Sequence, residues 1–137
     1  MKNEITIRVY YEDTDCGNVV YYANYLKYME RGRTEFLREC GIELADYQSN
    51  DILFAVIDAK VKYKFPARYN DLLSVQTVIK EYSAASVTFS TSIFNQNKKL
   101  LSQGDVRLAC INSVTGRPSK FPPEVMEAIT DKQLGNR

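Results

Sequence analysis

Read for hydrophobic period alone, the chain opens as a strand. In EITIRVYY, Ile5, Ile7, Val9 and Tyr11 alternate with Thr6, Arg8 and Tyr10, the two-residue period of a half-buried β-strand. From about Tyr22 the period lengthens. Tyr22, Tyr25, Leu26, Met29, Gly32, Phe36, Leu37 and Cys40 form one stripe, with Lys27, Glu30, Arg31, Arg38 and Glu39 mostly off it, which predicts a long amphipathic helix. Asn24 is its expected N-cap and Gly41 its expected C′ residue. Gly32 lies on the apolar stripe, where a glycine costs about 1 kcal/mol against alanine. Close approach to a flat neighbour such as a sheet accounts for it.

Strands fill most of the remainder. VIDAKVKYKF sets Ile57, Ala59, Val61, Tyr63 and Phe65 against Asp58, Lys60, Lys62 and Lys64, and Pro66 ends the run. LLSVQTVIK and ASVTFSTSIF alternate likewise, and Asn95 to Lys99 form a hairpin turn after the second of them. LLSQGDVRLACIN alternates less cleanly and contains Gly104, an expected bulge. After the turn VTGRP, FPPEVMEAITDKQ reads as a closing helix with proline in its first turn. Strand, long helix, four strands and short helix make an α+β protein, with hairpin-length connections predicting antiparallel order among the last four strands. One apolar helix stripe has one sheet to cover it, so a curved five-stranded antiparallel sheet around a central helix is expected. The far face and open edges of that sheet favour dimerisation.

Composition narrows the chemistry. The 137 residues suit one domain over 1–137, able to bury roughly two-thirds of the unfolded surface. A net charge of +1 without basic clusters argues against nucleic acid or membrane surfaces as partners. No run approaches the about 18 apolar residues of a membrane span, and the opening lacks a signal-peptide core. Cys16, Cys40 and Cys110 are odd in number and widely spaced, which suits a cytoplasmic setting with no disulfide frame and no cysteine metal site. The chain contains no histidine. Serine–histidine and cysteine–histidine nucleophile systems, histidine-ligated metals and an imidazole base are all removed.

The candidate chemistry sits where strand gives way to helix. Glu12, Asp13 and Asp15 precede the glycine-containing loop Cys16 to Val20. A helix start offers unpaired N–H groups at the positive end of the macrodipole. A carboxylate there supplies a nucleophile or base opposite a group that polarises a carbonyl. Such a pair is adequate for a thioester, whose thiol leaving group has a pKa of about 8.5 and departs without a general acid. The competing role for Asp15 is a cap or Asx turn, and Glu12 and Asp13 read as solvated loop charges. A calcium loop over Asp13, Asp15 and Asn18 fails because Gly17 falls one place early and Asn24 stands where the closing glutamate belongs.

RVYYEDTDCGNVVYYANYLKYMERGRTEFL strongly resembles the opening of the 4-hydroxybenzoyl-CoA thioesterase family of hot-dog-fold proteins, and most of all the Tol–Pal cluster acyl-CoA thioesterases. YKFPARYNDLL, Tyr63 to Leu73, resembles a strand-end segment of the same family. The resemblance implies that Asp15 is the catalytic carboxylate, as nucleophile or general base, and that the Tyr22 backbone N–H polarises the thioester carbonyl. It implies acyl-CoA bound between subunits of a homodimer or homotetramer, with an acyl-carrier protein as a possible alternative substrate, and no cofactor. Three positions depart from it: Tyr22 stands for a frequent histidine, Asn18 for a frequent glycine, which stiffens the loop, and Gly32 for a frequent alanine. A non-catalytic acyl-CoA or carrier-protein binding module on the same fold is the alternative; a dehydratase is disfavoured for want of histidine. Lys60, Lys62, Lys64 and Arg68 read either as a solvated row or as contacts for coenzyme A phosphates. Cys16 lacks the imidazole that would activate it.

Overall fold

The computed structural model describes residues 3–135, with side chains through Asp131. Five strands, β1 (Asn3–Arg8), β2 (Ile52–Tyr63), β3 (Leu72–Tyr82), β4 (Ser86–Phe94) and β5 (Leu100–Asn112), form one sheet in the order β1-β3-β4-β5-β2. Every neighbouring pair is antiparallel. The 16-residue helix α1 (Asn24–Glu39) lies on this sheet, a short α2 (Leu44–Gln48) comes next, and α3 (Pro123–Gly135) closes the chain. This is the expected α+β hot-dog arrangement. The hairpin reading is corrected at one place: β2 pairs with β5 at the sheet edge, not with β3. Residues 64–71 therefore cross from that edge to the interior strand β3.

Small residues make room for the helix. Thr77, Thr91, Gly104 and Val61 are consecutive partners across β3, β4, β5 and β2. A Cβ on Gly32 would lie 2.7 Å from Thr77 Oγ1 and 3.0 Å from Val75 Cγ1, and one on Gly104 would lie 2.7 Å from Met29 Sδ. Gly32 thus has the predicted close approach. Gly104, in contrast, keeps register with both Thr91 and Val61 and makes no bulge; its missing side chain accommodates Met29. The register shifts fall instead at Val56/Asp58, Ile79/Glu81 and Ile93/Phe94.

Helix ends follow local chemistry at one end only. Gly41, at φ +83°, sits past the C-cap Cys40; its N–H donates to Arg38 O and that of Ile42 to Leu37 O, a Schellman closure with Leu37 and Ile42 buried beside it. At the other end the helix begins at Asn24, two residues later than the stripe predicts. Ala23 occupies the N-cap without a side-chain bond. Asn24, one residue inside the helix, instead donates its Nδ2 to Asp13 O at 2.9 Å and ties the helix start to the preceding loop. β1 likewise ends at Arg8, and Tyr11–Asp13 turn as a 3-10 helix. The short α2 is not predicted by the hydrophobic pattern, because five residues carry too little periodic signal.

Candidate active site

The segment between β1 and α1 is a tight paired loop. Thr14 bridges Val20, Asp15 N–H donates to Val19 O at 2.9 Å, and Asn18 N–H to Asp15 O at 3.1 Å. Asn18 takes φ +64°. Glycine adopts this left-handed region freely and asparagine better than most other residues, so the glycine-to-asparagine departure is tolerated by the turn. The Asx turn expected of Asp15 is present: its Oδ1 accepts the Gly17 N–H at 2.8 Å. Oδ2 has no partner among the described residues, and Asp15 is exposed.

Two structures brace this loop. Asp13, read from the sequence as a solvated charge, is half-buried and structural. Its Oδ2 accepts the Tyr10 N–H at 2.9 Å, and its carbonyl accepts the Tyr21 N–H and Asn24 Nδ2. On the other side lies the crossover 64–71. Val20 N–H donates to Ala67 O at 2.8 Å, and Val19 bridges Arg68. The Ala67 N–H donates in turn to the Tyr25 hydroxyl at 2.9 Å, with both residues buried. The two stretches that carried the family resemblance are therefore bonded to each other, through contacts that no periodicity signals.

Tyr22 lies at the opening of α1. Its carbonyl accepts the Tyr25 N–H at 3.3 Å. Among the described residues, neither its own N–H nor that of Ala23 has an acceptor. Beside it is a cleft of about 240 Å³ lined by Tyr22, Tyr25, Tyr63, Phe65 and Lys64. Tyr63 packs edge-on against Tyr25 at 5.2 Å and against Tyr22 at 6.3 Å. Burial pushes the Tyr25 hydroxyl's pKa above its ordinary value, with the Ala67 amide acting against it; burial and then Tyr22 push that of Tyr63 up. Both phenols remain protonated near neutrality. Asp15 and Tyr22 are thus brought to one short loop, but within a single chain Asp15 is not among the groups lining the cleft.

The basic row divides. Lys60 and Lys62 stand opposite Asp105 and Gln103, in alternation with Val61, whose partner Gly104 faces α1. They therefore point away from the helix. Lys64 lines the cleft, and Arg68 lies beside the Asp15 loop. Cys16 is exposed. Among the described residues no cluster of metal-ligating side chains occurs, and no helix is long and apolar enough to cross a membrane.

Residues 9–129 match the model of the thioesterase-like superfamily. The chain belongs to that family. The acyl-CoA thioesterase YbgC of Haemophilus influenzae is 37% identical over 124 residues, covering 90% of each chain, and the acyl-CoA thioester hydrolase YbgC of Escherichia coli O6:H1 is 36% identical over 120 residues, covering 88% of this chain and 90% of that protein. The crystal structure of a DHNA-CoA thioesterase from Staphylococcus aureus superposes with a TM-score of 0.94 at 28% identity, over 98% of this chain and 93% of that one. Within the thioesterase-like superfamily the resemblance seen in the sequence holds, and the chain is a thioester hydrolase.

Proposed function

We propose that the chain hydrolyses acyl-CoA thioesters as a homodimer, with Asp15 as the catalytic carboxylate and the Tyr22 backbone N–H as the oxyanion donor. The observation that carries this is an N–H left without an acceptor at the start of a 16-residue helix, tied by one paired loop to a carboxylate with a free oxygen, in a chain without histidine. In the general-base form, Asp15 takes a proton from water as its oxygen adds to the carbonyl carbon; in the nucleophilic form, Asp15 itself adds and water later cleaves the acyl anhydride. In both, charge develops on the carbonyl oxygen, where the helix end offers roughly half a positive charge. One such donor supports about 10²- to 10³-fold in rate. Collapse of the tetrahedral species expels coenzyme A as a thiolate, and no acid is needed.

The homodimer is supported by β2, a 12-residue strand at the sheet edge with Leu53, Val56 and Ile57 exposed. A long apolar edge of this kind is normally covered, and pairing it with a second copy brings further groups to a loop and cleft that one chain leaves open. The test is hydrolysis of acetyl-, butyryl-, octanoyl- and benzoyl-CoA by wild type and Asp15→Asn. We expect kcat/KM on the best substrate to fall at least about 100-fold with circular dichroism unchanged. A folded Asp15→Asn protein as fast as wild type overturns the mechanism, and acyl-CoA binding without turnover by wild type across the panel overturns the function. Ile57→Lys, read by sedimentation, should yield a monomer of low activity; an active monomer removes the dimer.

A further inference from the structure

We propose that Tyr63 is a positioning residue for this hydrolysis, its hydroxyl holding the Tyr22–Ala23 peptide at the opening of α1. The inference rests on the reading that the thioester oxygen is received there. Tyr63 ends β2, and its hydroxyl donates to Tyr22 O at 3.2 Å. That carbonyl and the Ala23 N–H belong to one peptide group. Fixing the carbonyl therefore fixes the plane of a second N–H that has no acceptor among the described residues, next to that of Tyr22. A hydrogen bond accepted at the carbonyl also strengthens the N–H of the same peptide as a donor.

Neighbouring bonds close the turn, Asn24 N–H to Tyr21 O at 2.9 Å and Asn24 Nδ2 to Asp13 O at 2.9 Å, but little besides Tyr63 acts on the Tyr22 carbonyl itself. The Tyr22 side chain is 62% exposed, Ala23 has no side chain able to cap, and the backbone bond from Tyr25 N–H to Tyr22 O is long at 3.3 Å. Tyr63, though 48% exposed, is oriented by its ring contacts. Its ring lies edge-on to the buried Tyr25, whose hydroxyl is bonded to the Ala67 N–H. Donation requires the phenol proton, and burial, then the neighbouring Tyr22, raises the pKa of Tyr63 above the ordinary 10.0. The proton is therefore present throughout the neutral range. The sequence places Tyr63 on an alternating strand position and at the head of YKFPARYNDLL, with no sign of this bond; the bond to the helix opening exists because β2 pairs at the edge next to β5.

The experiment compares wild type, Tyr63→Phe and Tyr47→Phe on the fastest acyl-CoA of the same panel. Tyr63→Phe keeps the ring and removes one hydrogen bond. Its kcat should fall about three- to ten-fold, with KM within about two-fold. Tyr47, whose hydroxyl donates to Glu124 Oε1 at the far end of α1, should keep wild-type kcat when changed to Phe. Loss of folded protein alone would also lower kcat, so the deciding readout is the infrared thioester carbonyl band of that acyl-CoA bound to Asp15→Asn. Binding should shift the band to lower frequency, and Asp15→Asn with Tyr63→Phe should return part of the shift at equal occupancy. Wild-type kcat in Tyr63→Phe, or an unmoved band in the double variant, overturns the proposal for Tyr63. A band that does not shift even with Tyr63 present overturns instead the oxyanion reading on which it rests.

Discussion

Toward its C-terminal end, α1 packs Phe36 and Leu37 into an apolar cluster with Phe89, Leu108, Phe121 and Ile129; the Schellman turn pairs the last carbonyls, and Tyr47 of α2 reaches Glu124 of α3. Toward its N-terminal end the cluster contains Tyr25 and Tyr28 among Ile7, Val9, Met29 and Leu73. No side chain caps the helix there, and Tyr21, Tyr22, Tyr63 and Phe65 remain about half exposed or more. Both ends belong to one helix on one sheet. The closed end satisfies its apolar surface and its backbone polarity together. The open end buries Tyr25, Tyr28 and Met29 but leaves part of its aromatic surface and its first amides uncovered, which is what a site needs if an incoming acyl group is to cover the one and its carbonyl oxygen to take the other. Aromatic side chains suit that edge because they pack by their rings and bond by their hydroxyls.

Phe36→Ala should show the largest stability effect. Phe36 is 2% exposed and meets Phe89 edge-on at 5.6 Å, so urea unfolding should report a loss of about 3–5 kcal/mol. If the two ends are as independent as their packing implies, kcat per folded molecule stays at the wild-type value; a fall in that quantity would show that the two ends are coupled. Gly32→Ala, midway along the helix, gains about 1 kcal/mol in helix propensity but drives a Cβ against Thr77 and Val75. Overpacking costs about 1–3 kcal/mol, so a net loss of up to about 2 kcal/mol is expected in the same titration, and a net gain would mean that the helix shifts freely over the small residues beneath it.

Tyr47→Phe is the smallest of the three. Burial first, then the bond to Glu124, pushes the Tyr47 pKa up to about 12. Because the folded value exceeds the unfolded 10.0, this contribution is fully present below pH 10 and is lost as pH climbs from 10 towards 12. Melting temperature followed across that window should fall less steeply in Tyr47→Phe than in wild type, with a difference at neutral pH of under about 1 kcal/mol. Equal slopes would remove Tyr47 as a source of the alkaline loss.

Much of the fold is legible in the sequence where the signal is local. The strand positions follow from alternation, since a two-residue period is the geometry of a pleated strand with one face covered. The stripe from Tyr25 to Leu37 and the glycine at 41 follow from the helical period and from a backbone angle that glycine adopts without cost. Asp15 and Tyr22 stand out by their place before a helix and by resemblance. Asp13 is misjudged from sequence because its role is played largely through its carbonyl, which every residue has. Gly104 is misjudged because a bulge and a close helix contact leave the same mark in sequence, an absent side chain.

Which faces are apolar, where the chain must turn, and that histidine chemistry is closed to it are all written in the residue order. Which strand β2 joins emerges only on folding, and with it the passage of residues 64–71 beside the Asp15 loop and of Tyr63 to the Tyr22 carbonyl. The reason is physical: period encodes burial along one segment, whereas backbone hydrogen bonds between distant segments use groups common to all residues, and their partners are chosen when the whole sheet closes on its helix.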